Sequence, residues 1–122
     1  MRHMMTVAAV IVLFSVNAVA QRTVDTVLTM SDGAKLELLY CIPTTPPPAS
    51  GYPGIVLVHG FQGSKESVRA NANEYAMLGY VTLGYSVRGQ GGSEGEFDFF
   101  TSQRILADLK AMIDFTKEYG RY

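Results

Sequence analysis

At 122 residues the chain has room for one domain at most. A hydrophobic fraction of 48% and a net charge of −1 exclude a disordered polar chain and a basic nucleic-acid-binding surface.

The first twenty residues stand apart. "MRHMM" carries positive charge, "TVAAVIVLFSV" is an apolar run, and Ala18-Val19-Ala20 gives a small-x-small pattern before Gln21. This is the layout of a secretory signal peptide, with cleavage expected after Ala20 and a secreted or periplasmic product. The alternative is a transmembrane anchor, but the apolar run is about half of the ~20 residues that span a bilayer. No membrane association is therefore expected after cleavage. No cysteine sits at the cleavage point, which argues against a lipoprotein. Cys41, the single cysteine, reads as a small buried hydrophobe in a strand.

In the remainder, residues 21–122, "TVDTVLTM" alternates as a strand does and "SDG" is a turn signal, with Gly33 free to take positive φ. "AKLELLYCI" reads as a second strand with Leu36, Leu38 and Tyr40 on one face, completing an antiparallel hairpin. "PTTPPPASGYPG" can only be a loop. "IVLVHG" is continuously apolar, the pattern of a parallel strand buried on both faces.

"SKESVRANANEYAMLG" predicts a helix near 66–78. Ser64 and Ser67 are both candidate N-caps, Val68, Ala72, Tyr75 and Ala76 form the apolar stripe, and Gly79 sits at the C′ position. "YVTLGYSV" is the next strand, so the segment reads as a right-handed βαβ unit. A glycine-rich loop, "RGQGGSEGEFDFF", precedes a helix near 102–118. There Ile105, Leu109, Met112, Ile113 and Thr116 share a stripe, Asp108, Lys110 and Lys117 lie outside it, and Gly120 closes the helix.

"DGAKLELLYCIP", "IVLVHGFQGSKES", "GYVTLGYSVRGQGGSEG" and the following helix together resemble the α/β-hydrolase superfamily. The resemblance is closest to the X-prolyl dipeptidyl-peptidase and cocaine-esterase-like serine hydrolases, and it runs from Val24 to the C-terminus. It implies the N-terminal part of an α/β-hydrolase fold: a mostly parallel sheet opened by an antiparallel hairpin, in the order 1-2-4-3, with helices packed on it. It also implies a peptide or ester substrate. No cluster of His, Cys and carboxylates suggests a metal site, and no cofactor is expected.

The resemblance assigns one catalytic group, the backbone N–H of Phe61, as half of an oxyanion hole, with His59 and Gly60 supporting the turn. The glycine-rich loop, with Arg88, Gly89, Gly91 and Ser93, is expected beside the site. "GGSEG" fits G-x-S-x-G, but strand-breaking residues precede Ser93 and no helix follows at once, so the nucleophile-elbow context is missing. "GYSVR" around Ser86 has a strand before it but lacks the closing glycine and the helix. His59 as a triad base is disfavoured, because in this superfamily the base comes last in the chain.

Arg88 could position the loop or form a salt bridge to Glu94, Glu96 or Asp98, and the salt bridge is preferred. Many relatives carry aspartate where Ser86 stands. By the resemblance, nucleophile, acid and base all belong beyond the last helix. The chain is therefore expected to lack a nucleophile, and to self-associate through the 55–59 strand edge. A non-catalytic secreted α/β binding module is the alternative.

Overall fold

A computed structural model describes residues 21–99 and 102–119; the segment read as a signal peptide and Gly120 lie outside them. The elements are β1 (Gln21–Thr29), β2 (Lys35–Pro43), β3 (Gly54–Val58), a 3-10 turn (Lys65–Val68), α1 (Arg69–Met77), β4 (Val81–Tyr85) and α2 (Gln103–Tyr119). They form one sheet in the order β1-β2-β4-β3. β1 and β4 run antiparallel to β2, and β3 runs parallel to β4. The order, the opening hairpin and the parallel β3–β4 pair match the expectation, while the described sheet is mixed, with β3–β4 its one parallel pairing.

The hairpin closes as its turn residues require. Gly33 takes φ 90°, and the Asp32 side chain accepts from Ala34 N–H at 3.1 Å. β2 then feeds two cores, because successive side chains alternate across the sheet. Leu36 and Leu38 join Leu83, Tyr85, Ile105 and Met112 in a core that includes α2 residues. Leu39 and Cys41 pack with Ala72 and Ala76 of α1 on the other side. The result is a three-layer helix–sheet–helix arrangement. Each fully buried leucine contributes about 1.5–3 kcal/mol relative to exposure.

α1 can approach closely because its contact residues are small and Gly84 carries no side chain. A Cβ there would meet Val68 Cγ2 at 2.5 Å. α1 ends in a Schellman arrangement: Gly79, φ 100°, donates to Ala76 O, and Tyr80 N–H donates to Tyr75 O.

Three expectations are corrected here. β3 is not buried on both faces. It is an edge strand of the described sheet, half-buried along Ile55–Leu57, with Val58 44% exposed. β4, flanked by β2 and β3, is the strand buried throughout. Ser67 does not cap α1. Ser64 caps the 3-10 turn by accepting from Glu66 N–H, Ser67 Oγ accepts from Ser64 N–H in return, and α1 follows from Val68 without a side-chain cap. In the helix stripes, Tyr75 and Ile113 are exposed, whereas Asp108 is buried.

Candidate oxyanion turn and the glycine-rich loop

β3 delivers the chain into His59-Gly60-Phe61-Gln62-Gly63. Gly63 N–H donates to Gly60 O at 3.0 Å, closing a tight turn with Phe61 and Gln62 at its centre. Gln62 has φ 63°, and Phe61 does not lie in the left-handed region. Gly63 is needed because a Cβ there would come within 2.9 Å of both His59 Nδ1 and Ser67 Oγ. Among the described residues no group accepts from Phe61 N–H.

His59 is buried and both ring nitrogens are engaged. Nδ1–H donates to Gly60 O at 2.6 Å, and Nε2 accepts from Val87 N–H at 2.9 Å. Because a backbone N–H can only donate, the ring is the neutral Nδ1–H tautomer. His59 therefore ties the end of β3 to the residues after β4, and neither nitrogen is left to take a proton from a nucleophile.

The glycine-rich loop leaves β4 and folds back on itself. Gly89, φ 75°, lies so close to the returning chain that a Cβ would sit 2.3 Å from Phe97 N. Gly91 and Gly92 lie against Glu37. Ser93 is buried: Oγ donates to Ser86 O at 2.6 Å and accepts from Glu37 N–H at 3.0 Å. Ser86 Oγ donates to Glu37 Oε1 at 2.6 Å and accepts from Lys65 N–H at 2.8 Å. Both serine hydroxyls are thus spent on fixing the loop to β2 and to the 3-10 turn. Burial alone would raise the Glu37 carboxyl, but the bonds from Ser86 Oγ and Gly92 N–H outweigh it and hold the group below its ordinary value.

Arg88 is the loop's anchor, and its partners are not the expected Glu94, Glu96 or Asp98. Its guanidinium grips Asp108 of α2 with two bonds at 2.8 Å and reaches Asp32 of the hairpin turn at 2.7 Å. A buried guanidinium takes the carboxylates that topology brings to it, and those lie 20 positions ahead and 56 behind. The two partners hold Arg88 still more firmly protonated. Burial, and then the Asp108 charge, pushes the Tyr85 phenol up to about 12.

Phe61, Gly60 and the loop residues Arg88, Gly89, Gly91 and Ser93 are therefore brought to one end of the sheet, beyond the ends of β3 and β4. Sequence reasoning missed two members of this cluster, Gln62 and Gln90: Gln62 N–H donates to Gln90 Oε1 at 2.8 Å. Nothing in their spacing signals that contact. Outside the turn the rings of Phe61, Phe97 and Phe99 stand in a row with centroids 5.6 Å apart, the first and last well exposed. A separate groove of about 740 Å³ lies between β3 and α2, lined by Val56, Val58, Leu109 and Ile113 among others. Its lining does not include Phe61 or Ser93, so it marks the open flank of β3 and not the turn. Among the described residues no His, Cys, Asp and Glu cluster could hold a metal, and no helix is long and apolar enough to cross a membrane.

This architecture is that of an α/β-hydrolase. The fold is similar to acetyl xylan esterase from Paenibacillus sp. R4, with TM-score 0.70 and 17% identity over 89% of this chain and 40% of that one. A hypothetical protein, PA2218, from Pseudomonas aeruginosa is 26% identical with TM-score 0.65, over 79% of this chain and 30% of that one. Epoxide hydrolase A from Mycobacterium thermoresistibile is 26% identical with TM-score 0.60, over 79% and 28%. The chain thus spans well under half the length of these proteins. Comparison with curated proteins finds no match. The X-Pro dipeptidyl-peptidase (S15) family model matches residues 32–118, and the chain belongs to that family.

Proposed function

We propose that the chain is the N-terminal part of an exported serine hydrolase acting on peptide or ester bonds. Its own contribution to the chemistry is the Phe61 backbone N–H, directed at the oxygen of the scissile carbonyl. As a nucleophile adds, that oxygen gains charge, and a fixed amide donor stabilises the tetrahedral intermediate more than the substrate. Removing one such donor typically lowers the rate ~10²–10³-fold. The observation that carries this reading is a tight turn after β3 whose Phe61 N–H has no acceptor among the described residues, while the flanking Gln62 and Gly63 N–H groups are both engaged.

Ser93 and Ser86 are structural in this reading, because both hydroxyls are committed to Glu37 and its neighbours. The nucleophile, acid and base then come from polypeptide beyond residue 122. That the chain covers 40% of the acetyl xylan esterase and 28% of the epoxide hydrolase supports this reading. The test is to read the coding DNA past codon 122. A strand pattern leading into a G-x-S-x-G elbow is expected, and a stop codon directly after Tyr122 would favour the binding-module alternative. Assays of the product recovered from the culture medium, with X-Pro-p-nitroanilide and p-nitrophenyl acetate, then separate peptidase from esterase.

A further inference from the structure

We infer that Gln90 is the positioning residue of the Phe61 turn, its side-chain oxygen holding the 61–62 peptide in the type II orientation, with Gln62 N–H and not the Phe61 carbonyl turned toward the glycine-rich loop; this rests on the reading of Phe61, whose own N–H belongs to the preceding peptide of the same turn, as the oxyanion donor. The turn Gly60–Gly63 has its third residue, Gln62, at φ 63°, and Phe61 outside the left-handed region, which is the type II arrangement. Type II turns require positive φ at that position and ordinarily place glycine or asparagine there. A glutamine is strained in it. Left alone, Gly-Phe-Gln-Gly would relax to type I by flipping the 61–62 peptide, which returns Gln62 to negative φ.

Gln90 opposes that flip. In the observed form Gln62 N–H donates to Gln90 Oε1 at 2.8 Å. After a flip, the Phe61 carbonyl oxygen would replace that N–H and face another oxygen. The amide orientation of Gln90 is fixed by the same bond, since a backbone N–H must meet an acceptor.

Gln90 is itself well placed to act as a stop. It is 9% exposed, its N–H donates to Val87 O at 2.8 Å, and its carbonyl accepts from Ser93 N–H at 3.1 Å. Its Nε2, by contrast, is buried without a partner among the described residues. A buried orphan donor is ordinarily disfavoured. An apolar side chain would avoid it, so what the position gains from glutamine lies at the oxygen end.

Hydrogen exchange of the full chain, read by mass spectrometry at the single amides of Phe61 and Gln62, tests this. In the wild type the Gln62 amide is expected to be protected and the Phe61 amide to exchange nearly freely. Gln90→Met, of similar length but without an acceptor, should speed Gln62 exchange on the order of tenfold, while amides of β4 and α2 stay protected. Gln90→Glu, which keeps an acceptor, should restore protection. If Gln90→Met does not fold, Gln90→Asn, one methylene too short to reach, gives the same readout. Unchanged Gln62 exchange in the acceptor-less variant, or no rescue by a folded Gln90→Glu, overturns the role of Gln90. A protected Phe61 amide in the wild type overturns the oxyanion reading itself, whatever Gln62 does.

Discussion

Arg88 and Asp108 meet side by side beneath the glycine-rich loop. Nε donates to Oδ2 and Nη2 to Oδ1, both at 2.8 Å, with the side chains 5% and 4% exposed. The pair joins the loop to α2, and Asp32 extends the grip to the hairpin turn. Removing one member of a buried pair leaves an uncompensated charge, at a cost of about 3–5 kcal/mol. Asp108→Ala should therefore lower stability by that amount in urea denaturation. Asp32→Ala, whose side chain is 45% exposed, should lower it much less, because solvent screens the pair. Equal losses would contradict the assignment of Asp108 as the principal partner.

Two glycines should rank in a definite order. Gly89→Ala puts a methyl against backbone, 2.3 Å from Phe97 N, and does so at φ 75°. Gly84→Ala meets Val68 Cγ2 at 2.5 Å, a side-chain atom and not backbone, and without a positive φ. Overpacking of the second kind costs about 1–3 kcal/mol, and the first should exceed it. Circular dichroism melts of the two variants decide the order.

Acid should loosen the loop and the 3-10 turn together. Hydrogen bonds from Arg69 and Lys65 lower Asp25 to about 2, and Glu37 is held below its ordinary value by Ser86 and Gly92 against the effect of burial. Depressed carboxyl values mean the unfolded chain binds more protons at low pH, so their stabilisation is present above the unfolded values of 3.8 and 4.5 and is lost as pH falls through the folded ones. The melting temperature should be flat near pH 6 and fall between about pH 5 and pH 2. Glu37→Gln should flatten part of that fall. An unchanged melt down to about pH 2 would contradict the network.

Much of this fold was legible because periodicity reports local geometry. The hairpin announced itself through Asp32-Gly33, and β3, α1 and β4 through an apolar run, a helical stripe and a second apolar run. What those patterns cannot report is who the neighbours are. Ile55–Val58 reads as doubly buried whether or not a strand lies on its outer side. Asp108 reads as solvent-facing because a stripe drawn through apolar residues leaves out a carboxylate whose partner, Arg88, belongs to another element. Acidic residues adjacent to Arg88 in sequence were the natural candidates, yet the loop turns them outward. The Gln62–Gln90 contact joins two polar residues across 28 positions, which no spacing rule marks. The role proposed for the Phe61 N–H rests on family resemblance, since a backbone donor leaves no trace in side-chain identity.

The edge of β3 carries the proposal of self-association. It is apolar, bears neither lysine nor proline between Ile55 and Val58, and borders the groove against α2. Light scattering coupled to size exclusion should find residues 21–122 associated. Val58→Lys, at a position already 44% exposed, should shift them toward monomer. A monodisperse wild-type monomer would remove the argument and favour an independently folding module.

We propose that the Phe61 turn supplies an oxyanion donor and that Ser86 and Ser93, whose hydroxyls are held by Glu37 and the adjoining backbone, are not nucleophiles. The direct measurement is incubation of the folded chain with a fluorophosphonate probe, followed by peptide mass spectrometry. No serine should be labelled above the level of a denatured control. Stoichiometric modification of Ser93 would contradict the account and make "GGSEG" a nucleophile after all.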